Sequence, residues 1–179
     1  DTDGNLVYYN MYEYNNDGTV TVKLLQADLS TLDAEHLLDE NGKRIKETTY
    51  NPDGTIKDCS EYDENENRTR YTTYYYSDGV LRYYYVSDYN EDQKLIKKTT
   101  YNPDDSISNY ITYAYHANGN IKKSELYNAD NELYEYVEYY EGGELGKEII
   151  KEKITNYAEG TSSKLEYNSA GQMIKSSSY

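Results

Sequence analysis

The chain has 179 residues, the length of one domain spanning 1–179, with a formal net charge of −15, 18 basic against 33 acidic side chains, and one cysteine, Cys59. That acidity repels phosphate, so nucleic acid is not an expected partner. No run approaches the roughly 20 apolar residues a membrane-spanning helix needs, so no membrane insertion is expected in this segment, and a lone Cys59 makes no internal disulfide.

Only 36% of residues are hydrophobic, a composition that leans toward disorder, but 26 residues are Tyr and none is Phe or Trp. Tyr joins a large apolar ring to a hydroxyl that accepts water, and it favours strands. A chain built on it suits a sheet whose faces are half covered.

Taken in order, the chain repeats one unit: a Tyr, three polar residues, Gly or Asn, one further residue, then Ile or Leu. It opens on DTDGNL (1–6), the unit without its Tyr. YNNDGTV follows at Tyr14 and LDENGKRI at Leu38. LQADLSTL at Leu25 aligns with one extra residue, although Ser30 and Asp33 in STLDAEHLL (30–38) also fit a helix cap, so strand and short helix both stand open there. YNPDGTI starts at Tyr50, YDENENR at Tyr62, YYSDGVL at Tyr75, YNEDQKL at Tyr89 and YNPDDSI at Tyr101. YHANGNI starts at Tyr115, YNADNEL at Tyr127, YYEGGEL at Tyr139, YAEGTSSKL at Tyr157 and YNSAGQM at Tyr167.

Each unit reads as a tight turn. In Asn51-Pro52-Asp53-Gly54 the Asn bonds its own turn backbone, Pro presets φ and Gly takes positive φ, which is a type I turn closed by a left-handed residue. Such a loop joins antiparallel strands, so Tyr50 and Ile56 should face each other. The predicted fold is all-β: an antiparallel meander of about 14 short strands in about seven two-turn repeats of ~25 residues, strongly twisted and coiled. Period-two alternation puts Leu81, Tyr83, Tyr85 and Tyr89 on one face, with Ile107, Ile111, Tyr113 and Tyr115, and Leu133, Val137 and Tyr139. The other face then holds Arg82, Asp88, Lys98, Thr100, Thr112, Lys122 and Ser124, with Tyr74, Tyr84, Tyr110, Tyr134 and Tyr136. Both ends fall inside a unit, so the chain is expected to be an excerpt of a longer array, and open sheet edges would permit edge-to-edge self-association.

YHANGNI, YDENEN, YNADNEL and YNPDG resemble YD repeats, the Tyr-Asp repeats of RHS-type and related bacterial surface or secreted proteins. The resemblance spans nearly the whole chain. It implies an exported, non-catalytic all-β array at the bacterial surface or outside the cell, and the RHS relatives build a shell around a toxin segment. Thr55, Val80 and Asn120 stand here where those repeats carry Arg after the turn Gly, and no self-cleaving core motif is present. A second resemblance is to Tyr/Gly-rich variant MORN repeats, without their HG step.

Chemistry is sparse. His116 sits in a turn and His36 has no nucleophile or carboxylate at a telling spacing, so no catalytic group is assigned. DTDGN and DENEN alternate oxygen ligands as calcium loops do, but lack the closing Glu and are ordinary turn residues; no metal or cofactor is expected. Asn67-Arg68-Thr69 fits a glycosylation acceptor, relevant in a eukaryotic secretory host. Tyr74, Tyr84, Tyr110, Tyr134 and Tyr136 are the candidates for stacking on a ligand, against the plainer reading that they pair across strands. The expected function is an exported repeat scaffold for surface display, adhesion or protein binding. A shell segment of a large secreted RHS-type toxin and a module binding cell-surface glycan are the alternatives.

Overall fold

The computed structural model describes residues 8–142, 148–157 and 160–179. Among the described residues fourteen strands follow one another in chain order in one antiparallel meander, and none is helical. Two compact units divide the chain, residues 1–94 and 95–179. The first contains β1 (Tyr8–Tyr14), β2 (Val20–Gln26), β3 (Leu32–Leu38), β4 (Arg44–Tyr50), β5 (Ile56–Tyr62), β6 (Arg68–Ser77) and β7 (Val80–Tyr89). The second contains β8 (Leu95–Tyr101), β9 (Ile107–Tyr115), β10 (Ile121–Asn128), β11 (Leu133–Tyr139), β12 (Ile150–Asn156), β13 (Ser162–Tyr167) and β14 (Met173–Ser178).

The turns form as their residues dictate. Asn51 N–H donates to Thr55 O at 2.8 Å, Gly54 N–H donates to Asn51 O at 2.9 Å, and Gly54 has φ +83°. Tyr50 then stands opposite Ile56, as predicted. Most of the stretch 30–38 is strand: Gln26 N–H reaches Thr31 O, one residue further than in turns such as 51–55, and Leu25 pairs with Leu32. Asp28 accepts the Ser30 and Thr31 amides, so Ser30 belongs to a turn instead of capping a helix, and Asp33 lies within β3.

Three units sit differently from the sequence alignment. Asp78 and Gly79 both have positive φ and form a two-residue loop between Ser77 and Val80, so Tyr76, not Tyr75, faces Leu81. Tyr157 is the first residue of its turn, and Asn156 pairs with Ser162 in the anchor position. Tyr139 pairs with Ile150; its expected partner Leu145 and the opening unit 1–6 lie outside the described residues.

The two faces of the sheet are not those that simple alternation predicts. After most turns the register slips by one residue on the second strand: Tyr50 opposes Ile56, but Thr49 opposes Asp58, leaving Lys57 extra. The same slip follows the turns into β3, β4, β6, β7, β9, β10, β11, β12 and β14. Simple alternation therefore fails at the start of each such strand. Leu81 pairs with Tyr76 while Tyr83 pairs with the adjacent Tyr75, so Leu81 and Tyr83 point to opposite faces. Ile107 is likewise parted from Ile111, Tyr113 and Tyr115, and Leu133 from Val137 and Tyr139.

The pairs at one end of the first unit, Tyr14/Val20, Leu38/Arg44 and Tyr62/Arg68, share a face with the row Val22, His36, Glu47, Ser60, Tyr71 and Ser87. Those at the other end, Leu25/Leu32, Tyr50/Ile56 and Tyr76/Leu81, share the opposite face with Lys23, Glu35, Thr48, Cys59, Thr72 and Val86. Anchors alternate faces from one turn to the next, and neither face is purely apolar.

Burial follows the strand centres. Among the described residues only Ala34 and Val137 are buried apolar side chains, joined by the small polar residues Ser60, Thr72, Ser87, Thr99 and Ser124 and by the turn residue Asn120. Ser60 and Ser87 flank Tyr71 in one row, Thr99 lies beside Tyr110, and Ser124 lies beside Tyr113. A large ring beside a small neighbour fills the space above the sheet without a second layer.

Candidate functional site

Two side-chain constellations recur. In the first unit the Tyr62 hydroxyl donates to Glu47 Oε2 at 2.9 Å, as the Tyr50 hydroxyl does to Glu35 Oε2 at 2.9 Å on the other face. Each Tyr lies diagonally across a strand pair from its Glu, 15 residues back in both cases. Glu47 also accepts from Arg44 Nη1 at 2.5 Å, lies 3.6 Å from His36 Nε2, and Arg44 stacks over the Tyr62 ring at 5.1 Å. Burial would raise the Glu47 carboxyl, but the Tyr62 hydroxyl and the Arg44 guanidinium, with His36 beyond, hold it below its ordinary value. Burial and the bond to Glu35 push the Tyr50 phenol up to about 12. These groups satisfy one another, and sequence spacing gave no sign of His36 meeting Glu47 because the turn, not the chain, brings them together.

In the second unit Lys and Glu alternate over one face. Glu138, Glu152 and Glu166 stand in one cross-strand row; Lys151 bridges to Glu138 at 3.0 Å and Lys164 to Glu152 and Glu166 at 2.7 and 3.2 Å. The bulge residue Lys151 thus offsets like charges that face each other across the strands. Among the described residues no group of three or more His, Cys, Asp or Glu is placed to hold a metal ion. Nor does any helix have the length and apolarity to cross a membrane. Cys59 is half-buried beside Thr48, and its thiol is raised by burial. His116 does not point freely to solvent: its Nε2 lies 3.2 Å from Tyr139 O.

The five tyrosines singled out from sequence do not form one site. Tyr74 and Tyr84 pair across the first unit's β6–β7 hairpin, ring centroids 5.3 Å apart. Tyr110 stacks on Tyr127 at 4.8 Å in the second unit, with Lys97 4.3 Å from its ring centroid and its hydroxyl bonded to Asn131. Tyr136 stands between Glu125 and Ile154 on the face of Tyr110. Tyr134, an extra residue at a register slip, is exposed. It lines a shallow concavity of about 280 Å³ with Ser108, Asn109, Leu126, Tyr127 and Asn128.

Concavities also lie between turns at the same end of a unit. One of about 440 Å³ is bounded by the 63–67 and 90–94 turns and Tyr89, another of about 380 Å³ by the 128–132 and 157–161 turns and Tyr134. Sequence reasoning missed both, because they exist only where alternate turns come side by side.

A family model described as "Protein of unknown function (DUF2963)" matches residues 39–74. The match runs from the turn before β4 to Tyr74 in β6 and includes Arg44, Glu47 and Tyr62. No curated protein matches. Among solved structures, the pneumococcal O-GlcNAc transferase GtfA, in complex with UDP and GlcNAc, is similar at 15% identity and a TM-score of 0.30; the likeness covers 72% of this chain and 21% of that one. A porin-like protein from Bacteroides uniformis is similar at 15% identity and a TM-score of 0.29, covering 96% of this chain and 86% of that one.

Proposed function

We propose that the chain is a non-catalytic, exported repeat scaffold that presents its two sheet faces for protein binding or adhesion at a bacterial surface. The observation that supports this reading is the alternation of anchor pairs between faces, which leaves Tyr rings and charged rows on both sides rather than gathering apolar residues into one core. Repeats of this kind bind through extended surfaces rather than one deep pocket. The YD-repeat resemblance, with its shell-building relatives, supports a secreted setting.

The groove beside Tyr134 favours a second reading, a glycan-binding module: an exposed ring next to Ser108, Asn109 and Asn128 offers stacking and hydroxyl partners to a sugar. Binding of the fluorescently labelled chain to mammalian cell monolayers separates the two. The scaffold reading expects saturable binding that protease treatment of the cells abolishes and glycosidase treatment leaves. Binding that glycosidases remove, and that Tyr134→Ala weakens, replaces it with the glycan reading. Absence of saturable binding contradicts both.

A further inference from the structure

The complete absence of Phe and Trp beside 26 Tyr is not required by packing, since Phe fills the same volume at half-covered positions. What Tyr adds is a phenol, and the β6–β7 hairpin sets two phenols in a reactive arrangement. Tyr75 and Tyr83 are directly opposed, their rings are stacked at 4.8 Å and 23°, and both are exposed, at 41% and 36%. Tyr85 lies against both, 5.3 Å from each. The ladder between β5 and β6 ends at Asp58 and Thr73, so the pair lies beyond its cover.

We propose that Tyr75 and Tyr83 form an oxidative cross-linking site, coupled to dityrosine by a peroxidase using hydrogen peroxide. Each phenol gives up one electron and one proton, producing two phenoxyl radicals. A carbon–carbon bond forms between the ring carbons ortho to the hydroxyls, and the hydrogen on each of those carbons moves to its oxygen as the rings regain aromaticity. The peroxide takes up the two electrons and two protons and leaves as two waters. Holding the rings in contact makes coupling unimolecular, which favours it over encounters between exposed tyrosines on different molecules. Tyr110 and Tyr127, also stacked, are placed differently: Lys97 lies over the Tyr110 ring, opposing the loss of an electron from it. The product would clamp the hairpin covalently at its tip.

The test treats the whole chain at low concentration with a peroxidase and limiting hydrogen peroxide, followed by dityrosine fluorescence and tandem mass spectrometry. Cleavage after Arg70, Arg82 and Lys94 puts Tyr75 and Tyr83 in separate peptides, 71–82 and 83–94. The expected result is one dominant intramolecular product joining these peptides with the loss of two hydrogens. Its yield should be independent of protein concentration, fall roughly tenfold or more in Tyr83→Phe, and persist in Tyr84→Phe and Tyr14→Phe. Phe keeps the stacking, and circular dichroism of each variant confirms that the sheet is intact. Coupling spread over the exposed tyrosines, coupling only between molecules, no coupling, or a joined product that survives Tyr83→Phe overturns the proposal.

Discussion

At the scale of residues, the turn is held in two interchangeable ways. In one, the first turn residue does the work: Asp39 Oδ1 accepts the amides of Asn41 and Lys43, and Asn128 Oδ1 those of Asp130 and Glu132. In the other, the third does: Asp53 Oδ1 accepts the Thr55 amide and hydroxyl while Asn51 Nδ2 donates to Thr55 Oγ1. Both orient the same backbone and both end in a positive φ. That position is Gly in several turns but Leu29, Glu66, Gln93, Asp105 and Asn131 in others. An L side chain there costs on the order of 1 kcal/mol, so Leu29→Gly, which also removes an exposed apolar chain, should stabilise by up to about 1 kcal/mol. Gly54→Ala should destabilise by about 1 kcal/mol; urea unfolding reads both.

The same carboxylates set an acid limit. The Thr31 hydroxyl first, then the Thr31 and Ser30 amides, hold Asp28 at about 2, and Asp17, Asp39, Asp53, Asp63 and Asp104 are lowered by equivalent turn bonds. A carboxyl lowered in the folded state stabilises it above the unfolded value and loses that contribution as pH falls through the folded one. For Asp28 the window runs from about pH 4 to about pH 2. Urea midpoints should be flat above this window and fall within it; a fall that begins near neutrality would contradict the assignment.

At the scale of elements, the hairpins were largely legible and the faces were not. Turn residues sit close in sequence and announce themselves, which is why Tyr50 facing Ile56 was readable. The extra residue that follows most turns has no sequence mark, since Lys57 and Arg82 look like any alternating polar residue. Period-two reasoning carried through it inverts every later face, as it did for Tyr83. The diagonal Tyr–Glu bonds depend on that slip, and sequence alone did not pair them. Tyr62→Phe should cost about 1 kcal/mol, and a double-mutant cycle with Glu47→Gln should show that the two losses are not additive. Val137 is a strand-centre side chain with only 5% exposure, so Val137→Ala should cost roughly 1–3 kcal/mol, more than the same change at the exposed Val80.

At the scale of the molecule, stability is a sum of neighbouring hairpins rather than a central core, as expected of a repeat array. The ion pairs are half-exposed rather than buried; Lys151–Glu138, for instance, has side-chain exposures of 48% and 27%, and Lys164–Glu152 28% and 23%. Such pairs contribute little each, whereas a net charge of −15 repels itself throughout. Added sodium chloride should therefore raise the melting temperature; a fall would mean that the ion-pair rows matter more than their exposure implies. Composition made the half-covered sheet readable, because a Tyr-only aromatic set fits surfaces that stay wet. The concavities between alternate turns were not readable, because they depend on the spacing of whole hairpins. Near-identical turns, most of them followed by a one-residue slip, set the register and the alternation of faces. Cross-strand nuclear Overhauser contacts around the 51–55 turn test this most directly. Contacts between Tyr50 and Ile56 and between Thr49 and Asp58 are expected; contacts pairing Thr49 with Lys57 instead would contradict the slip.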